Sequence, residues 1–185
     1  MTTAAKQFPD TYAHMTTDEL MNIYAAAPDR LNMALGKLNV RELQVRPAAE
    51  KWSIQEIALH MTDAEIIGAA RIRQVMAESG SALADYSASK WADAFDYREL
   101  ESKEFYAMLI LFDSLRLNTL KIFQRAQNKD WQNMGHHPKW GQVTLRQLLE
   151  LYADHSERHL SQILEARQAI NKPIEFPLLL PNRLF

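Results

Sequence analysis

In TLRQLLELYADHSERHLSQILEARQAI, residues Thr144–Ile170, the side chains of Leu145, Leu148, Tyr152, His155, His159 and Ala166 recur at the steps of one helix face. Thr144 stands where a cap belongs, and the pattern predicts a helix running to about Ile170. A helix this long with one apolar seam must bury that seam against other helices. Two of the seam residues, His155 and His159, are histidines four positions apart, so their imidazoles share a face. Such a pair either holds something between its rings, usually a metal, or shares the face by accident.

Three further segments carry the same period. TTDELMNIYAAAPDRLNMALGKL opens with a Thr16–Glu19 capping box and aligns Leu20, Ile23, Tyr24, Ala27, Leu31, Leu35 and Leu38; Pro28 is expected to kink or split it. KWSIQEIALHMTDAEIIGAARIRQVMAES has Ser53 as its N-cap. A third, from about 98 to 128, runs Phe105, Met108, Phe112, Leu115, Thr119 and Ile122. The polar stretch from about 79 to 97 reads as a long connection. NKDWQNMGHHPKWGQ, broken by Gly135, Pro138 and Gly141, reads as a loop. The tail NKPIEFPLLLPNRLF, residues 171–185, has three prolines and reads as an extended apolar tail. Its Leu178–Leu180 run is expected to pack along the bundle or on a partner chain. Four long helices, one long crossover and no convincing strand predict an all-α four-helix bundle, one domain over 1–185 with its core at about 17–170.

Composition removes several functions. A net charge of -2 with dispersed Lys and Arg leaves no basic patch for nucleic acid. No apolar run approaches the roughly 20 residues of a membrane helix, and MTTAAKQFPD is not a secretory leader, so a cytoplasmic home is expected. The chain has no cysteine, which excludes disulfides, thiolate ligands and a cysteine nucleophile. Any metal must then be held by His, Asp or Glu.

His60, on the apolar side of the second helix, is a third inward imidazole beside His155 and His159. Three neutral imidazoles suit a divalent metal, whereas three unpaired ones would leave buried acceptors unsatisfied. The metalloprotease pattern is absent, because Ser156 rather than Glu follows His155. Asp63, one turn after His60, either orients a ligand imidazole or is a solvated helix residue. Arg71, three turns after His60, either binds a substrate carboxylate or extends to solvent. His136 and His137 either reach the mouth of the site or are exposed loop residues. Trp52, Trp131, Trp140 and Tyr152 can wall a pocket, with Trp52 and Tyr152 equally readable as core.

RPAAEKWSIQEIALHMTDAE, with Trp52, Ser53, His60 and Asp63, resembles the signature of the DinB/YfiT-like metalloenzyme superfamily. GQVTLRQLLELYADHSERHLSQI is similar to that family's last helix, and the resemblance spans about residues 17–170. It implies an up-down-down-up bundle, usually dimeric, with zinc, nickel, manganese or iron on His60, His155 and His159. It further implies a small-molecule substrate, with low-molecular-weight-thiol S-transfer the leading reaction and a related transferase or hydrolase beside it. A non-catalytic dimeric bundle and a small-molecule binding protein with a structural metal stay open as alternatives. A water-accessible pocket at the site would favour an enzyme.

Overall fold

In a computed structural model describing residues 7–180 and 184, six helices and a two-stranded hairpin follow one another. The four long helices are α1 (Thr17–Leu35), α3 (Ile54–Ala77), α5 (Ser102–Arg125) and α6 (Leu145–Ala169). Short helices α2 (Val40–Gln44) and α4 (Ala88–Ala94) interrupt the connections. Thr16 with Glu19, Ser53 with Glu56 and Thr144 with Gln147 form reciprocal capping boxes. Each box satisfies two amide donors that a helix start leaves orphaned, contributing about 1 kcal/mol.

Cross-helix hydrogen bonds give the directions. Arg146 of α6 bonds to Tyr12 and Met15 just before α1, and Arg167 to Ala34 and Gly36 at its end, so α1 and α6 run parallel. His60 meets His159 while Arg71 meets Tyr152, so α3 opposes α6. Thr62 bonds to Met108 and Arg73 to Thr119, so α3 and α5 run together. The four-helix bundle is therefore connected up-down-down-up. Its apolar interior falls into two clusters. One gathers Leu20, Tyr24, Ile72, Phe123 and Leu148, the other Leu31, Ile54, Phe105, Phe112 and Ile163. Among the described residues no helix is long and apolar enough to cross a membrane.

Two expectations are corrected, the buried face of α5 and the loop before α6. Of the two outcomes expected at Pro28, α1 is continuous from Thr17 to Leu35 rather than split. Proline has no N–H for the carbonyl of Tyr24, four residues earlier, and Arg116 Nη1 donates to that carbonyl instead, at 3.2 Å. In α5 the buried face is Phe105, Leu109, Phe112, Arg116, Thr119 and Phe123, while Met108, Leu115 and Ile122 are half-buried. The face turns because an arginine occupies its centre. The glycine-rich loop before α6 holds a hairpin, β1 (Met134–His137) paired antiparallel with β2 (Gly141–Thr144). His136 of β1 also exchanges backbone bonds with Ser81 and Leu83, which fastens the hairpin to the crossover. A Cβ on Gly135 would lie 2.8 Å from Leu83, so only glycine permits this approach. The described part of the tail packs along its own bundle, one of the two outcomes expected of it. Leu180 and Leu184 are buried, Arg30 lies 4.4 Å above the Phe176 ring, and the Leu179 amide donates to Glu157.

Candidate metal centre

α3 supplies His60 and α6 supplies His155 and His159, and the antiparallel crossing of the two helices brings all three rings together. Their Nε2 atoms are 3.0 Å apart for His60–His159, 3.0 Å for His155–His159 and 3.2 Å for His60–His155. These three are the one group of such side chains among the described residues disposed to hold a metal ion. A tetrahedral ion with Zn–N bonds of about 2.0–2.1 Å separates its donors by roughly 3.3–3.4 Å, close to what the rings already show.

The outer nitrogens orient the rings. His159 Nδ1 donates to Gln162 Oε1 at 2.8 Å, which leaves Nε2 as a bare lone pair pointing at the other two rings. His60 Nδ1 contacts the Tyr86 hydroxyl at 2.9 Å. Burial, helped by the charge of Arg158, holds His60 down at about 4. Burial and the neighbouring rings push His155 well below the ordinary histidine range. Burial first, then His60, does the same to His159. All three are neutral at pH 7. His159 thus presents a lone pair to the other two Nε2 atoms, and three neutral imidazole nitrogens at this spacing fit a borderline-soft divalent ion.

Asp63 neither touches an imidazole nor faces solvent. It is buried and accepts from the Tyr97 hydroxyl, and burial raises its carboxyl above the usual range. Tyr97 and Tyr86 interact through their hydroxyls, so Asp63 is linked to the His60 ring by two tyrosines. Gln162 was legible in principle, three residues beyond His159 on the same face. Tyr86 and Tyr97 carry no signal, because both lie in the crossover.

Two cavities flank the three rings. The larger, about 830 Å³, is lined by Trp52, Ile57, His60, Arg158, His159 and Gln162. The smaller, about 180 Å³, is lined by Arg71, Tyr86, His137, Trp140, Tyr152 and His155. The structure thus assembles Arg71, His137 and Tyr152 in one place. Arg71 Nη1 lies 3.0 Å from both the Tyr152 hydroxyl and His137 Nε2. β1 turns His137 inward and leaves His136 exposed. Trp52 walls the larger cavity with its ring 5.2 Å from that of His60, whereas Trp131 stacks on Phe123 away from the site.

Comparison with known proteins agrees with this picture. A protein of Bacillus cereus (strain B4264) named "Putative metal-dependent hydrolase" is 22% identical over 165 residues, 87% of this chain and 93% of its own length. A Bacillus mycoides protein of the same description matches at the same identity and coverage. YfiT from Bacillus subtilis, described as "a probable metal-dependent hydrolase with an unusual four-helix bundle topology", superposes with a TM-score of 0.77. Its identity is 18%, over 85% of this chain and 90% of its own. TT2238, "a four-helix bundle protein", gives 0.56 at 20% identity over 79% of this chain and 96% of its own. At these identities the two structures speak for the fold alone. The model of the DinB superfamily matches residues 23–163, most of the chain, and the protein belongs to that superfamily.

Proposed function

We propose that the protein is a metal-dependent enzyme acting on a small molecule, with His60, His155 and His159 as the ligands of one divalent ion. Of the ions the family resemblance implies, zinc, nickel and iron suit imidazole ligands, whereas manganese prefers oxygen. The observation that carries this reading is the convergence of three neutral Nε2 atoms beside a cavity of about 830 Å³. A structural site would be closed; this one is approached by a space of the size that small-molecule sites occupy. Such an ion, when bound, supplies Lewis acidity and a nucleophile active near neutral pH.

The chain's own residues do the rest. Gln162 fixes the tautomer and tilt of His159, and Tyr86 holds the tilt of His60. Trp52 and Ile57 give the larger cavity an apolar wall, and Arg158 brings a cation to it. Hydrolysis is supported by the names of the curated relatives. Low-molecular-weight-thiol S-transfer is the finer version: the chain has no sulfur nucleophile, and a free thiol brought by a co-substrate would find an apolar-walled space beside the rings. A homodimer belongs to the same reading through the family resemblance. Leu180 is buried on its own chain, so the apolar side chains open to a partner include Leu179 of the tail and Tyr106, Ile110 and Leu117 on α5.

The test is turnover of ester, amide and thiol-plus-electrophile substrates by metal-loaded protein, against a His155→Ala variant with the same helical content. Faster reaction by the wild type identifies the class. Equal rates on every substrate would remove the catalytic reading.

A further inference from the structure

Arg71 is an arginine 6% exposed with, among the described residues, no carboxylate in ion-pair contact with it. Nε and Nη2 both donate to the Ala84 carbonyl, at 3.1 and 2.6 Å, and Nη1 faces His137 and Tyr152. Among the described residues the second Nη2 hydrogen has no acceptor and no carboxylate lies within ion-pair distance of the guanidinium. Arg116–Glu65 and Arg30–Glu157 pair their charges, whereas the buried Arg167 donates to the carbonyls of Ala34 and Gly36 and lines neither cavity. Among the described residues the only carboxylate lining the cavity at Arg71 is Asp85, which is exposed and accepts from the Tyr86 amide. A buried cation without a counter-charge is costly, and a protein that keeps one beside a cavity has a use for it.

His137 makes the same point independently. Its Nδ1 lies 3.1 Å from the Lys139 amide and 3.4 Å from that of Trp140, both donors. Its Nε2 lies 3.0 Å from Arg71 Nη1, also a donor. A neutral imidazole has one lone pair and one N–H, so one of these contacts sets hydrogen against hydrogen. Burial, with Arg71 next, holds His137 down at about 4, so it is neutral at pH 7. With Nδ1 accepting from the backbone, Nε2–H and Arg71 Nη1–H point toward each other. An oxygen atom seated beside them accepts from both and relieves the conflict. Tyr152, which accepts from Arg71, keeps its own proton free to donate to that oxygen.

We propose that the smaller cavity is a carboxylate subsite, in which Arg71, His137 and Tyr152 hold an acid group of the substrate beside His155. This rests on the proposed function for which end of the substrate reacts, but the binding of the acid does not depend on the metal. The cavity, at about 180 Å³, is too small for a whole ligand and takes one group of it. The substrate class this subsite selects is a small carboxylic acid.

The test is calorimetric titration of chelator-treated, metal-free protein with succinate, and with succinamide as its uncharged counterpart. Succinate should bind and succinamide should bind at least tenfold more weakly. Arg71→Met should weaken succinate at least tenfold, and Tyr152→Phe, which keeps the ring, several-fold. If Arg71→Met does not fold, Tyr152→Phe and His137→Gln carry the comparison. Equal binding of acid and amide, no binding of succinate, or unchanged affinity in the folded variants would overturn the subsite. Because no metal is present, none of these results bears on the three-histidine reading. Conversely, a protein that binds succinate yet never turns over a substrate would lose the catalytic function and keep the subsite.

Discussion

Arg116 Nε lies 2.7 Å from a carboxylate oxygen of Glu65, and both side chains are 1% exposed. The guanidinium also sits 3.9 Å over the Tyr24 ring and donates to the carbonyls of Tyr24 and Tyr152. One residue of α5 thereby ties α1, α3 and α6 together. Arg116→Met leaves Glu65 buried and unpaired, and should cost about 3–5 kcal/mol in urea unfolding. The Tyr24 carbonyl then has no donor. Restoring one with Pro28→Ala should return about 1 kcal/mol in the Arg116→Met background and little in the wild type. Additive effects of the two substitutions would refute the link between the proline and the arginine.

Metal affinity is expected to depend on the groups behind the rings as well as on the rings. His155→Ala should abolish stoichiometric zinc in elemental analysis while circular dichroism stays helical. Tyr86→Phe and Gln162→Ala each remove a partner of an Nδ1 atom, and should weaken zinc about 10–100-fold by competition with a chelating dye. Wild-type protein should melt higher in zinc than in chelator, by the linkage of binding to folding; 100-fold excess over Kd corresponds to about 2.7 kcal/mol.

Acid should destabilise the fold in a defined window. His60 and His137 are held down at about 4 by burial, against 6.5 for a free imidazole, and His155 and His159 are also lowered by burial. Unfolding lets each take up a proton, so the unfolded chain binds more protons below about 6.5. Their contribution is complete above pH 6.5, shrinks as the pH falls and is lost through about 4. Urea midpoints at pH 7.5, 6 and 5 should decline in that order, and a flat series would contradict neutral buried imidazoles.

Gly68→Ala should disturb the smaller cavity through its Tyr152 wall, although Gly68 itself does not line it. A Cβ at position 68 would stand 2.5 Å from the Tyr152 ring, against which α3 packs. The ring must shift or the helices part, at about 1–3 kcal/mol. Succinate binding should fall with it, because the hydroxyl that faces Arg71 moves. Unchanged stability and unchanged succinate binding would show that the ring has room to spare.

The helices, their capping boxes and the three histidines were legible because they depend on local spacing. Thr16, Ser53 and Thr144 announce helix starts within four residues of sequence. What escaped depends on partners far away along the chain. The hairpin is made of GHH and GQV, poor strand formers, and holds because β1 also bonds to Ser81 and Leu83. The phase of α5 escaped because Arg116 counts as polar in any periodicity, yet Glu65, 51 residues earlier, makes it a core residue. Asp63 and Arg71 were noticed by position, but their surroundings, Tyr97 for one and His137 with Tyr152 for the other, come from the crossover, the hairpin and α6.

The two helices that supply the histidines also set a question of chain topology. His60 is separated by 95 residues from His155 and by 99 from His159, and the chain has no cysteine. Anything held in common by these rings closes a loop of half the molecule, a constraint that small secreted domains obtain from a disulfide. For a permanent crosslink over about 100 residues, the chain-entropy cost removed from the unfolded ensemble is about 4.7 kcal/mol. A clasp of imidazoles would act on the same ensemble reversibly, opening in acid or chelator and closing again without an oxidant.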